Sequence, residues 1–228
     1  MIIDMLQENK GNLQKEKSWR GKILNVFLRF VIIPLVRLIW VKNVEGRENL
    51  LKNGAYIIAA NHQSYLDFIC LAGVWPGRVY FLAAEKFFFS RFWRPLVEYT
   101  GQIRVDRDSK DKSASMLAAA EYLKEGKIIA IFPQGTRSRD GLIGKTYTGV
   151  AKLANMSGVP VVPVGIRGAF ELLPPQKRLP KFSRGIQIYI GEPLSFTYDV
   201  NDEKNHRQAT DQIMAKVAAL AGLDYRPE

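Results

Sequence analysis

Two apolar runs separated by a short polar stretch do most to limit the folds open to this chain. The first, Tyr56-Ile57-Ile58-Ala59-Ala60, is short and partly β-branched, and reads as a buried strand. The second, residues 68–74, follows Ser64, an N-cap residue type, with Asp67 three positions later in a capping-box pattern. The stretch between them, Asn61-His62-Gln63-Ser64-Tyr65-Leu66-Asp67, is therefore a strand-to-helix turn. After Gly46 this alternation recurs. Strands are expected at 56–60, 79–83, 103–105, 128–132, 159–165 and 186–190, and helices at 65–74, 112–124, 147–156 and 204–220. Such alternation predicts an α/β domain with a largely parallel sheet flanked by helices. The Pro-rich residues 172–180 read as a loop.

His62 sits in a strand-to-helix turn, where α/β folds display their chemistry. A neutral imidazole takes a proton near pH 7, and a nearby carboxylate orients it and stabilises the imidazolium. The pattern is also compatible with a structural histidine and a first-turn acid that only answers the helix dipole. Other parts of a site must recur downstream to separate the two.

A chain of 228 residues can form one substantial domain with an appendage. Hydrophobic residues at 47% and charged residues at 24% are ordinary for a folded protein, which argues against a disordered chain. One cysteine, Cys70, rules out an internal disulfide and fits a reducing compartment. The histidines are His62 and His206, so no cluster has metal-ligand spacing and no metal is expected. His206 stands among Asn205, Arg207 and Gln208 and reads as solvated. A net charge of +11 suits nucleic acid, an anionic membrane surface or a phosphorylated substrate.

Residues 1–20 are polar and Lys-rich, a loose start or a short helix. Residues 23–41 turn apolar, interrupted by Asn25, Arg29, Pro34 and Arg37. The arginines and the lack of a small-residue cleavage site argue against a signal peptide. A spanning helix would bury both arginines, at about 2.5–3.5 kcal/mol each at mid-bilayer. Lys22, Arg29 and Arg37 fall on one side of a helix, and Pro34 would kink or split it. The segment reads as a helical hairpin or bent helix in the membrane interface, or as an amphipathic helix packed on the domain. The expected division is an N-terminal membrane-interface segment, 1–44, and a main domain, 45–228.

Further candidates follow two later strands. The apolar run 128–132 ends in Pro133-Gln134-Gly135-Thr136-Arg137-Ser138-Arg139. Proline stops the strand, Gly135 lets the backbone turn closely past a ligand, and Thr136 and Ser138 offer hydroxyls. Arg137 offers a bidentate fork suited to phosphate. Gly101-Gln102-Ile103-Arg104-Val105-Asp106-Arg107 adds cations near a strand, and Asp106–Arg107 alternatively reads as a surface pair worth little.

His62-x4-Asp67, residues 101–107, residues 132–138 and Val161-Val162-Pro163-Val164 together resemble, in order and spacing, the four sequence blocks of the glycerolipid acyltransferases, in particular the bacterial 1-acylglycerol-3-phosphate acyltransferases. The resemblance covers about residues 45 to 195. It implies that His62 is the general base and Asp67 its partner. A hydroxyl of a lysophospholipid acceptor would attack the thioester of acyl-CoA or acyl carrier protein directly, without an acyl-enzyme, so Ser64 is not the expected nucleophile. It also implies phosphate contacts at Arg107 and Arg137. Arg104 joins them from its charge and position, and Gln134, Gly135 and Thr136 complete the expected substrate-binding set. No cofactor is implied. The implied partner is a membrane surface, with the protein monotopic or peripheral on the cytoplasmic face of the cell membrane.

Two positions depart from the family pattern. Residue 134 is Gln where the family has a glutamate that helps position the acceptor; Gln keeps the length and an acceptor oxygen but loses the charge. Ala84 stands where many relatives carry lysine, with Lys86 two residues on. The same chemistry on glycerol-3-phosphate, another lysophospholipid or an amino-lipid is thus the alternative. A non-catalytic basic membrane- or nucleic-acid-binding protein is the rival class, although no nucleic-acid motif occurs. Phe87, Phe88, Phe89, Phe92 and Trp93 are candidates for an acyl-chain groove or for core. Arg167, Lys177, Arg178, Lys181 and Arg184 form a basic cluster, either for anionic lipid or carrier phosphates or simply solvated.

Overall fold

A computed structural model describes residues 2–106, 113–196 and 202–227. Arg107 and the expected helix start at residue 112 lie outside the described residues. In chain order the elements are α1 (Ile2–Lys17), α2 (Trp19–Phe27), a π-helical turn (Leu28–Ile32), α3 (Ile33–Ile39), β1 (Val41–Glu45) and β2 (Tyr56–Ala60). Then come α4 (Leu66–Val74), β3 (Val79–Ala84), α5 (Lys86–Phe89), α6 (Arg94–Tyr99), β4 (Ile103–Val105) and α7 (Ser113–Lys124). The chain continues through β5 (Ile128–Ile131), α8 (Gly149–Ser157), β6 (Val161–Arg167), α9 (Ala169–Leu172), β7 (Ile186–Ile190) and α10 (Glu203–Ala221).

The strands form one seven-stranded sheet in the order β1-β7-β6-β2-β5-β3-β4. Pairing is parallel except between β6 and β7. Central β2 shows why helices cover both faces: all five of its residues are buried. Tyr56, Ile58 and Ala60 meet α4 residues Leu66, Cys70 and Leu71 on one side. Ile57 and Ala59 meet Ala119 of α7, Leu153 of α8 and Ile213 of α10 on the other. This is the period-two alternation of a strand buried on both faces.

Gly165 of β6 lies so close to α10 that a Cβ there would come within 2.3 Å of the Leu220 backbone. Glycine is what lets strand and helix backbones approach at that point. Pro163, also in β6, costs the ladder little. Its carbonyl accepts from Gly191 N–H (2.9 Å), so its missing donor faces the same side, just past the end of β7.

The N-terminal region differs from expectation in two ways. Residues 2–17 form a sixteen-residue helix at the sheet edge, so of the loose start or short helix expected the helix is found, and it is a long one. Asn9 Oδ1 accepts from Arg104 N–H (2.8 Å), which satisfies a donor on edge strand β4. In addition, Val41–Glu45 is a strand paired in parallel with β7, so the sheet runs across the expected division at 44/45. Residues 19–39 form a bent helix, and the π-turn lies directly before Pro34, whose ring crowds the carbonyl four residues back. None of the described helices is long and apolar enough to cross a membrane.

Candidate active site

The ladder brings the two polar turns together. Ala59 of β2 pairs with Ile131 of β5, so residues 61–67 and 132–138 leave the sheet side by side at its carboxyl end. Ligands bind at that edge in open α/β sheets. On the other flank, the Asn61 amide exchanges two hydrogen bonds with the backbone of Ile166, accepting from its N–H and donating to its carbonyl, each at 2.8 Å. That pair carries the β2–β6 ladder one residue past the strand and fixes where the turn begins.

The capping pattern forms only in part, because the helix N-cap is Tyr65 and makes no side-chain cap bond. Ser64 Oγ accepts from Leu66 N–H (3.1 Å), and Asp67 Oδ2 accepts from Ser64 N–H (2.7 Å). The same Oδ2 accepts from Gln63 N–H (2.6 Å) and meets His62 Nδ1 at 2.8 Å. Asp67 is fully buried, and His62 is 9% exposed. A carboxylate only accepts, so Nδ1 carries a proton, and the neutral form of the ring in this tautomer has its lone pair on Nε2. Phe132 holds the imidazole plane, with centroids 4.1 Å apart and planes 18° from parallel. Ser64 Oγ donates to Leu173 O (2.8 Å) and is fully buried, an anchor for the turn.

The turn after β5 grips His62 by its backbone. Gln134 Oε1 accepts from His62 N–H (2.7 Å), and Ser138 N–H donates to His62 O (2.8 Å). Gly135 has φ +68°, and a Cβ there would meet the Tyr147 ring at 3.1 Å, so glycine is required for this turn. A carboxylate at 134 would accept from His62 N–H as well as an amide does, but an aliphatic side chain would not. Gln134→Glu is therefore expected to unfold within about 0.5 kcal/mol of wild type, and Gln134→Leu to lose about 1–3 kcal/mol, the cost of an unpaired buried donor. Denaturant unfolding measures both; equal stability of wild type and Gln134→Leu would show that this bond carries nothing.

Both turns open on a groove of about 1630 Å³. Near the imidazole it is lined by Tyr65, Phe68, Phe81, Phe132 and Arg137. Farther out, Phe87, Trp93 and Leu96 line it beside the bent helix. Of the expected aromatic run, Phe87 and Trp93 reach the groove, Phe88 is buried, and Phe89 and Phe92 are exposed. The Arg137 guanidinium lies 3.6 Å from the Tyr65 ring centroid, and its Nη1 has no protein partner among the described residues. Thr136 lines the groove as well, and Lys86 adds a cation to the lining while Ala84 is buried.

Arg104 lies elsewhere. Its guanidinium pairs with Glu8 of α1 and Glu85 and stacks on Phe89 at 4.9 Å, tying α1 to the sheet edge. Arg167 also leaves the expected basic cluster: its Nε donates to Leu220 O (2.9 Å) near the end of α10. His206 is not solvated but 5% exposed, on the inward face of α10. Its spacing from Ala209, Thr210, Ile213 and Val217 is the helical signal that locates it. Tyr65 and Phe132 are the site contacts that residue-type reasoning passes over, because both read as ordinary apolar neighbours.

A buried His–Asp pair thus sits at a turn beside a largely apolar groove that Arg137 also lines. The chain belongs to the Acyltransferase family, whose model matches residues 42–167. Among curated proteins it is 30% identical over 153 residues to a 1-acyl-sn-glycerol-3-phosphate acyltransferase of Bacillus subtilis, covering 66% of this chain and 72% of that protein. It is 31% identical over 189 residues to the protein of the same name from Saccharomyces cerevisiae, covering 81% of this chain and 61% of that longer one. The fold is that of the crystal structure of PlsC, a 1-acyl-sn-glycerophosphate acyltransferase from Thermotoga maritima: TM-score 0.65 at 22% identity over 98% of both chains.

Proposed function

We propose that this enzyme transfers a fatty acyl group from acyl-CoA or acyl carrier protein to the free hydroxyl of 1-acylglycerol-3-phosphate, giving phosphatidic acid, with His62 as general base. The observation that carries the reading is the His62–Asp67 pair at 2.8 Å, beside a groove that is largely apolar on its walls and is lined by Arg137, whose Nη1 has no hydrogen-bond partner among the described residues. His62 Nε2 removes the acceptor's hydroxyl proton as the oxygen attacks the thioester carbonyl. The C–S bond then breaks, and the imidazolium returns the proton to the departing thiolate. Asp67 supports the positive charge between these steps. Arg137 holds the acceptor phosphate, with Thr136 beside it and Lys86 as a second cation at the groove. Arg107 is the further phosphate contact in this proposal, while the ion pairs of Arg104 favour a structural role for it.

The apolar stripe of the bent helix supports a membrane-surface location: Trp19, Ile23, Val26, Phe30, Leu35 and Leu38 are all exposed and recur at helical spacing. The amide at 134 does not by itself favour a different acceptor, because its oxygen is engaged by His62 N–H rather than free in the groove.

The test is transfer in mixed micelles from radiolabelled acyl-CoA or acyl carrier protein. The acceptors are 1-acylglycerol-3-phosphate, glycerol-3-phosphate, lysophosphatidylcholine and an amino-lipid. Transfer to the first is expected, and Arg137→Ala should raise its KM about 10–100-fold, the worth of a charge-assisted contact. Transfer only to an acceptor without phosphate monoester would overturn the assignment of Arg137 and move the enzyme to another substrate.

A further inference from the structure

The segment 173–184 joins α9 to β7 and contains Lys177, Arg178, Lys181 and Arg184 but no acidic residue. None of the four cations is ion-paired among the described residues. At its tip, Leu179 is 81% and Phe182 78% exposed, among the most exposed large apolar side chains of the molecule. The segment is nevertheless well anchored. Lys181 N–H donates to Leu172 O (2.9 Å), Trp40 Nε1–H donates to Lys181 O (2.9 Å), and Arg184 Nε–H donates to Val41 O (3.0 Å). Phe182 stacks on Trp40 with centroids 5.9 Å apart. Trp40 directly follows α3, whose Leu35 and Leu38 are exposed. Arg178, Pro180 and Arg184 line the groove that contains His62.

A fixed loop with bare apolar tips, unpaired cations around them and an indole at its base has the chemistry of an interfacial contact: apolar groups enter the acyl boundary while cations meet anionic headgroups. We propose that residues 177–182 form a second docking site for an anionic lipid bilayer, on the rim of the groove and apart from the N-terminal bent helix. This inference rests on the membrane-surface reading above and deepens it. With both contacts seated, the mouth of the groove faces the lipid, and an acceptor enters His62's groove without crossing water.

The test uses the full chain with vesicles of phosphatidylglycerol and phosphatidylcholine (1:1) or of phosphatidylcholine alone. Wild type, Leu179→Ser/Phe182→Ser and Lys177→Gln/Lys181→Gln are compared by co-sedimentation. An environment-sensitive fluorophore on Leu179→Cys reports insertion. Labelling is selective, because native Cys70 is buried and its thiol is pushed up to about 12 by burial, with the Asp67 charge adding to the effect. Each double variant should bind anionic vesicles about 10–100-fold more weakly. The fluorophore should shift to the blue with anionic vesicles, and transfer to a water-soluble short-chain acceptor should be unchanged.

Wild-type binding with an unshifted fluorophore and unweakened variants overturns this site and leaves the membrane reading standing on the bent helix. No wild-type binding to anionic vesicles overturns both. A shift that needs acyl carrier protein or high protein concentration instead of lipid makes the loop a protein interface and overturns the proposal. Vesicle binding is read without acyl transfer, so loss of the acyltransferase reading is seen separately.

Discussion

His62→Ala is expected to lower acyl transfer by at least about 10²–10⁴-fold, the contribution of a general base, or roughly 3–5 kcal/mol of barrier. The structure argues that this loss is chemical. Among the described residues the imidazole stacks on Phe132 and bonds to Asp67, and Asp67 Oδ2 keeps both backbone N–H donors once the ring is gone. Single-turnover transfer with saturating donor and acceptor measures the effect, and denaturant unfolding of the same variant shows whether the fold is retained. A folded His62→Ala enzyme within about tenfold of wild type would remove His62 from the mechanism.

Asp67→Asn separates orientation from charge. An asparagine Oδ1 at the site of Oδ2 accepts the same three hydrogen bonds, so the ring stays in place. Its Nδ2 then takes the site of Oδ1, which has no protein partner among the described residues. The expected cost of that unpaired, buried amide is about 1–3 kcal/mol of stability. Activity should fall by about 10²–10⁴-fold, because the imidazolium loses its counter-charge. Residues that act as one unit are not additive. The double variant His62→Ala/Asp67→Asn should therefore match His62→Ala within about threefold. A further hundredfold loss in the double variant would mean that Asp67 acts on something other than His62.

Much of the frame is legible in local pattern. The expected strands at 56–60, 103–105 and 186–190 occur with those bounds, since each is a short apolar or β-branched run between clear breaks. The expected strand at 128–132 ends at Ile131, where the chain enters the turn that puts Phe132 against His62. The strand expected at 159–165 runs instead from Val161 to Arg167, because its pairing with β2 begins at Ile57 and its pairing with β7 extends to Arg167. The Val41–Glu45 strand is invisible locally. Only Val41 in it is buried, and it exists because β7 supplies a partner edge.

The site divides the same way. His62 and Asp67 sit five residues apart, so a single turn geometry joins them, and spacing alone points to the pair. Gln134 was expected at the acceptor; what its oxygen touches is the backbone of a residue 72 positions earlier. Arg104 has the charge of a phosphate contact, but Glu8 lies on a helix at the far end of the chain and occupies it.

By itself, then, the sequence determined the alternation of strands and helices and the turn that carries His62 and Asp67, because these follow from hydrogen bonding and apolar periodicity over a few residues; the family is legible only as a resemblance of four blocks in order and spacing. Which polar side chains are free was decided only by the tertiary structure. Arg104 and Arg137 are the same residue type beside similar strands, yet one meets two carboxylates and the other an open groove. Charge and spacing do not separate them, because a guanidinium is used up by whatever partner the distant parts of the chain bring within reach.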